Sequence, residues 1–212
     1  MNDASEWRLN LARQIVARYT GVEAAMLVGS AALGLADAHS DLDLLLYWRA
    51  VPSETWRKAR LTEMNAALLW MANTADGDDD PALQSQSEEF LLKPSDLKVD
   101  ITHKQIAAVE ALIADVAEKG DTTRTKLLIL GGMSNGIALH GDALVGAWQK
   151  RSERLPEAIA AHLIQTHLHN LPSADDIAIA IKRGAILHTR DLLIQLCNQL
   201  VYALIALNRH YP

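Results

Sequence analysis

Val28-Gly29-Ser30 and, ten residues further on, Asp41-Leu42-Asp43 decide the reading of this chain. Met26, Leu27 and Val28 read as the end of a short buried strand that stops at Gly29. Ser30 then opens Ala31-Ala32-Leu33-Gly34-Leu35, which suits a helical turn. A strand that feeds a helix N-terminus through Gly-Ser makes a seat for a phosphate. The glycine lets a ligand approach the backbone, and the serine hydroxyl joins amides at the positive end of the helix dipole. Downstream, Leu42, Leu44, Leu45, Leu46 and Tyr47 form a second apolar run in which Asp41 and Asp43 lie two apart. On a strand that spacing puts both carboxylates on one face. Two adjacent acids repel and gain nothing from a core, so the pattern implies a bound cation, with magnesium bridging the acids to a nucleotide's phosphates.

Gly29-Ser30 followed by Asp41-Leu42-Asp43 resembles the signature of the DNA polymerase beta-like nucleotidyltransferase superfamily, and Gly34 matches a second small residue common in it. The resemblance implies transfer of a nucleoside monophosphate from a triphosphate, ATP foremost, to a hydroxyl group, with two magnesium ions. It also implies a third carboxylate from a later strand, which falls on Asp100 in Leu97-Lys98-Val99-Asp100-Ile101. Asp96 competes for that place but follows Pro94-Ser95 in a predicted turn. Asp41, Asp43 and Asp100 are thus the expected catalytic and metal-binding residues, and Gly29 and Ser30 the expected nucleotide contacts. Where many relatives carry arginines after the glycine-serine, this chain has Ala31 and Leu33, so Lys98 and Lys104 are the candidates for meeting triphosphate charge. Small-molecule-modifying members such as the lincosamide-type nucleotidyltransferases are the nearest likeness, which makes a small hydroxyl compound, an antibiotic among the candidates, the expected acceptor. A protein, an RNA end, or a nucleotide-binding regulatory role without turnover are the alternatives.

The 212 residues suit one large domain or two small ones, and an apolar share of 50% is enough to build a core. A mean hydropathy of +0.02 with 22% charged residues argues against disorder. The net charge of −6 disfavours a long nucleic-acid track, which needs a surface rich in lysine and arginine. No stretch of 18 charge-free apolar residues occurs and the first residues are polar, so the expectation is a cytoplasmic protein without membrane or secretory segment. Cys197 stands alone among apolar neighbours and reads as a small core residue.

The expected fold class is α/β (α+β): a small mixed nucleotidyltransferase sheet of about four strands with flanking helices, then a helical C-terminal domain. The catalytic domain is expected over residues 1–120 and a helical bundle over 121–212, with Gly120 at the boundary. Periodicity predicts a helix over 5–19, strands over 24–29 and 41–48, and one long helix over 54–73. Strands over 89–92 and 97–101 are expected to pair as a hairpin through the 93–96 turn, returning Asp100 toward the acid pair. Thr102 with Gln105 resembles a capping box opening the next helix, and every element after Gly120 is expected to be helical. Gly131-Gly132-Met133-Ser134-Asn135-Gly136 then reads as a hinge between helices, and Asp76 to Asp80 as a solvated loop.

Other residues carry weaker signals. His103, three residues after Asp100, is a candidate base, whereas His162, His167 and His169 lack the i, i+4 spacing of a metal pair. Arg57-Lys58-Arg60 and Lys150-Arg151-Arg154 read mainly as solvated faces and secondarily as nucleic-acid or triphosphate contacts. The last helix, with Leu193, Leu196, Leu200, Leu204 and Leu207, is apolar around most of its circumference and is expected to be buried or to form a homodimer. The ending Ala206 to Tyr211 resembles that of bacterial nucleotidyltransferases that continue further, which leaves truncation as an open reading.

Overall fold

The computed structural model describes residues 3–73 and 80–212; most of the acid-rich loop, Asp76 to Asp79, lies outside the described residues. The elements in chain order are α1 (Asp3–Val16), β1 (Ala24–Val28), α2 (Gly29–Ala32), β2 (Leu42–Trp48), α3 (Glu54–Glu63), β3 (Ala66–Asn73), β4 (Gln86–Leu92) and β5 (Leu97–Gln105). They continue with α4 (Ile106–Ala117), α5 (Arg124–Ser134), β6 (Ile137–His140), α6 (Asp142–Arg151), α7 (Glu157–His169), α8 (Ala174–Lys182) and α9 (Ile186–Leu207). This is the expected mixed α/β architecture, with a sheet of six strands rather than four, in the order β3-β4-β5-β2-β1-β6.

Pairing in the sheet is antiparallel except between β2 and β5, which run parallel. Alternation along these strands separates two apolar faces. Ala25, Leu27, Leu42, Leu44, Leu46, Val99 and Ile101 face α1 and α3, where they pack with Ala12, Ile15, Val16 and Leu61. Ala24, Met26 and Tyr47 face the other way, into a core with Val109, Leu112, Leu130, Val145 and Trp148 of α4, α5 and α6. Burying a side chain of this size stabilises by roughly 1.5–3 kcal/mol, so two such faces fix which residues point where. On the α4–α6 face the helices cover the Ala24 end of β1, and the Val28 end carries the acids.

Four expectations about elements are corrected. The stretch over 54–73 is a helix followed by a strand: Ser53 caps α3 by accepting from the Trp56 amide, and Asn65, with a φ of 54°, turns the chain into β3. The pairing of β3 with β4, from Ala66–Leu92 to Asn73–Gln86, overrides the helix preference of its Ala, Leu and Met residues. Thr102 to Gln105 continue β5 beside Leu45 to Trp48, so the capping-box reading fails and α4 begins at Ile106. Gly131 to Ser134 belong to α5, and the chain then enters β6, which joins the sheet beside β1 despite following Gly120. Lys126 also ties the region around Gly120 down: its ammonium, nearly inaccessible to solvent, pairs with Asp80, Asp115 and Asp121 at 2.6 to 2.8 Å.

The last helix departs most from expectation. One side of α9 packs on α7, and Ala203 and Ala206 are buried, but Ile186, Leu187, Ile194, Leu204 and Leu207 are more than half exposed. Cys197 is likewise exposed, not a core residue. By length and composition alone α9 is long and apolar enough to cross a membrane. It also carries Arg190, Asp191, Gln195, Asn198 and Gln199, and Gln199 Oε1 accepts from His167 Nδ1 of α7 at 2.6 Å.

Candidate active site

The acids come together through register. Asp43 of β2 lies opposite Val28 of β1 on one side and opposite Asp100 of β5 on the other. Asp100 in turn lies opposite Glu89 of β4. Paired residues on adjacent strands point to the same face, so Asp43, Asp100 and Glu89 form one row across three strands, with Asp41 beside it, two residues before Asp43 and just ahead of β2. The strand spacing of about 4.8 Å keeps neighbouring carboxylates of the row close.

Gly29 borders the row. Its φ of 69° is the left-handed conformation that side-chain-bearing residues rarely adopt, and a Cβ built there would lie 2.2 Å from Asp43 Oδ2. Two independent requirements therefore demand glycine at the position where the sequence pattern has it. Gly29 is exposed and Ser30 half-exposed, so both are open to a ligand that reaches the acids. Leu33 and Leu35 donate their amides back to the carbonyls of Gly29 and Ser30 and close the turn.

Lys98 is the one base that pairs with this row among the described residues. Its Nζ lies 3.1 Å from Asp41 Oδ2, 3.1 Å from Asp100 Oδ2 and 3.8 Å from Glu89 Oε2. Hydrogen bonds to Asp100 and Asp41 push its pKa up. The pKa of Asp43 is also raised, first by burial and then by the charges of Asp100 and Asp41, with Lys98 opposing. Four carboxylates against one ammonium leave the site strongly negative. Asp100 Oδ1 is buried without a hydrogen-bond partner. A hard divalent cation fits such an all-oxygen, electron-rich donor set. Among the described residues, however, no three carboxylate, histidine or cysteine groups converge tightly enough to define a metal site by themselves.

Lys104, the second lysine expected at the nucleotide, is elsewhere. It shares the face of Asp100 but stands four residues further along β5, about 13 Å at strand rise. There it is buried, and its Nζ donates to the carbonyls of Ala82, Leu83 and Gln84 at 3.4 to 3.5 Å. Desolvation lowers its pKa to about 8. His103 is corrected too. Three residues from Asp100 on a strand is the opposite face, and there His103 is fully buried, accepting from Trp48 Nε1 at 3.1 Å and facing Glu88 Oε1 at 3.3 Å. Burial lowers its pKa, so it is held neutral as a core group.

The basic clusters are largely neutralised. Arg57 is buried against Glu88, Lys58 pairs with Glu54, Arg60 with Glu63, and Arg151 with Glu110 and Glu118. Glu89 is the site residue that sequence reading missed. The 93–96 turn already implied the pairing of Leu92 with Leu97, and counting back along that hairpin places Glu89 opposite Asp100.

Residues 9–107 match the nucleotidyltransferase domain family, which bears out the resemblance carried by Gly29-Ser30 and Asp41-Leu42-Asp43. The chain thus carries an enzyme domain of the nucleotidyltransferase type, built around the sheet that holds the acid row. Among solved structures it is similar to a nucleotidyltransferase-like protein from Exiguobacterium sibiricum 255-15, with 13% identity and a TM-score of 0.37 over 98% of this chain and 59% of that one. It is also similar to the Cid1 poly(U) polymerase, with 16% identity and a TM-score of 0.34 over 63% of this chain and 41% of that one. A Cid1 complex with the UTP analog UMPNPP gives 14% identity and a TM-score of 0.33. The chain therefore spans between 41% and 59% of the length of these structures. No curated protein matches the chain.

Proposed function

We propose that this domain transfers a nucleoside monophosphate from a triphosphate, ATP foremost, to a hydroxyl of a small molecule with the help of divalent metal. The observation that carries the proposal is the acid row with Gly29 held bare beside it, because a Cβ there would collide with Asp43. Gly29 lets the phosphates approach the backbone, and Ser30 offers its hydroxyl to them. The acceptor oxygen attacks the α-phosphorus, pyrophosphate leaves, and the acceptor's proton passes to a carboxylate; Asp100, with its unpartnered Oδ1, suits that role. Asp41, Asp43 and Asp100 would hold magnesium, two ions by analogy with the superfamily, which when bound neutralises triphosphate charge and lowers the acceptor hydroxyl's pKa. Lys98 supplies the remaining positive charge, and the rest of the rate gain comes from positioning.

A small acceptor is favoured over RNA because Arg57, Lys58, Arg60 and Arg151 of the candidate basic clusters are tied up in ion pairs on a chain of net charge −6. Labelled triphosphates with magnesium, incubated first without and then with candidate small acceptors and RNA ends, test the proposal directly. Label transfer to a small hydroxyl compound is the expected result; transfer to RNA alone would replace that acceptor, and no transfer to any acceptor would favour a regulatory nucleotide-binding role.

Ser30→Ala is expected to slow the reaction less than loss of an acid, since neighbouring amides remain. The loss should match one hydrogen bond to a charged group, roughly 1.5–3 kcal/mol, measured as kcat/KM. No loss at all would place the phosphates away from Ser30.

We also propose that α9 meets a second copy of this chain in a homodimer. Ile186 at 79% and Leu207 at 65% relative exposure, with Leu193, Leu200 and Leu204 between them, form an exposed apolar face of the kind a subunit contact covers. Light scattering should give twice the 23.2 kDa chain mass, and Leu204→Glu should return it to a single chain. A monomeric mass for the unaltered chain removes the dimer.

A further inference from the structure

Lys98 has a second feature beyond its charge: its ammonium sits among the carboxylates that would hold a divalent cation. Its ammonium makes close contacts to Asp41 and Asp100 and a longer one to Glu89, at 3.8 Å. An ammonium and a divalent cation cannot share the same two oxygens, because like charges at that separation repel. Lysine is also the residue suited to leave, with a compact charge on a flexible four-carbon stem. Glu89 lies directly across β4 and β5 from Asp100, so a small swing of the stem carries Nζ to another carboxylate without exposing it as an unpaired charge.

We propose that Lys98 is the resident counter-ion of the acid row, which holds the cation position between Asp41 and Asp100 and yields it to a divalent cation by moving to Glu89. This rests on the metal-dependent reading proposed above. It adds that Lys98 sets the order of assembly. A metal ion alone must displace the ammonium and binds weakly, whereas a metal ion arriving with a triphosphate brings the displaced ammonium an anionic partner. Glu89 is then a positioning residue that acts through Lys98.

The test is Mn2+ binding, read from the free-ion electron paramagnetic resonance signal, for the unaltered protein and for Lys98→Met, Lys98→Gln, Glu89→Gln and Glu89→Gln combined with Lys98→Met. Circular dichroism and melting curves establish that each is folded, and the two Lys98 variants guard against the failure of either one. Removing the ammonium is expected to tighten Mn2+ binding at least about tenfold, the minimum change for displacing a charge-assisted hydrogen bond. Glu89→Gln is expected to weaken binding severalfold when Lys98 is present and to have no effect when it is Met, a coupling that a double-mutant cycle isolates. Equal or weaker binding in both Lys98 variants overturns the counter-ion role while leaving the metal reading intact. Equal weakening by Glu89→Gln in both backgrounds makes Glu89 a metal ligand and overturns its part. If none of the proteins binds Mn2+ with or without a triphosphate, the metal-dependent reading falls and the counter-ion role with it.

Discussion

Asp43→Asn is expected to slow nucleotidyl transfer by at least about a hundredfold while the protein melts no lower than the unaltered chain. The two halves of this expectation come from the same geometry. Asp43 is partly buried, sits in register with Asp100 and lies over Gly29, so its charge is disfavoured where it stands and its pKa is raised, first by burial and then by Asp100 and Asp41. A group kept charged against such an environment contributes to function at the expense of stability. Asparagine keeps the shape and removes the repulsion, so the fold gains or is unchanged. It also removes an anionic ligand, and a loss of several kcal/mol of transition-state stabilisation, at 1.36 kcal/mol per decade, exceeds two decades in rate. Rates under saturating triphosphate, together with a melting curve, check both halves. A variant that retains most of the rate means that Asp43 is not part of the chemistry; one that loses rate and melts much lower means that its role is structural.

The strands that carry Asp43 and Asp100 were legible in the sequence because their signals are local. Gly29-Ser30 and Asp41-Leu42-Asp43 carry apolar flanks and small-residue breaks that packing alone would not require, and Asp100 sits between apolar residues after a Pro-containing turn. Partners across the sheet were not local. Glu89 enters the site only through hairpin register, and His103 leaves it only because β5 runs on to Gln105, which fixes the odd positions on the α1 and α3 face. Lys104 has the right parity but the wrong distance along the strand, a quantity that parity does not carry. β3 looks helical by composition and becomes a strand because β4 offers it an edge, and β6 has four half-buried or exposed residues whose only strong cue is their neighbour β1. The exposed face of α9 shows the same limit: periodicity reveals that a helix is apolar, not what covers it.

Beneath the acid row, on the opposite face of β4 and β5, a buried polar cluster fixes the two strands that carry Glu89, Lys98 and Asp100. Glu88 Oε1 accepts from the Tyr19 hydroxyl at 2.6 Å, its Oε2 pairs with Arg57 of α3 at 3.3 Å, and His103 and Trp48 complete the chain of contacts. Glu88 and Arg57 are almost wholly inaccessible to solvent. Glu88→Gln would leave the Arg57 guanidinium buried without its anion, a defect that costs about 3–5 kcal/mol. For a chain of this length, at roughly 2–4 °C per kcal/mol, the melting temperature should fall by about 6–20 °C. Combining it with Arg57→Met removes both charges and should recover much of the loss, because a buried pair stabilises little over apolar groups of similar size. Burial pushes the Glu88 carboxyl up, but the bonds from His103 and Tyr19 and the Arg57 charge outweigh it and hold its pKa below the ordinary value. A depressed folded pKa contributes stability above the unfolded value, near 4.3, and that stability is lost as pH falls through the folded one. His103, also depressed, acts in the same sense from about pH 6.5 downward, since the unfolded chain takes up a proton that the folded one refuses. Stability of the unaltered chain should therefore fall on acidification, and Glu88→Gln should lose the more acidic part of that slope. Thermal melts from about pH 2.5 to about pH 8, with about ±1 °C precision, are enough to see both effects. A Glu88→Gln protein that melts with the unaltered chain at neutral pH would show that the cluster does not hold β4 and β5 in place.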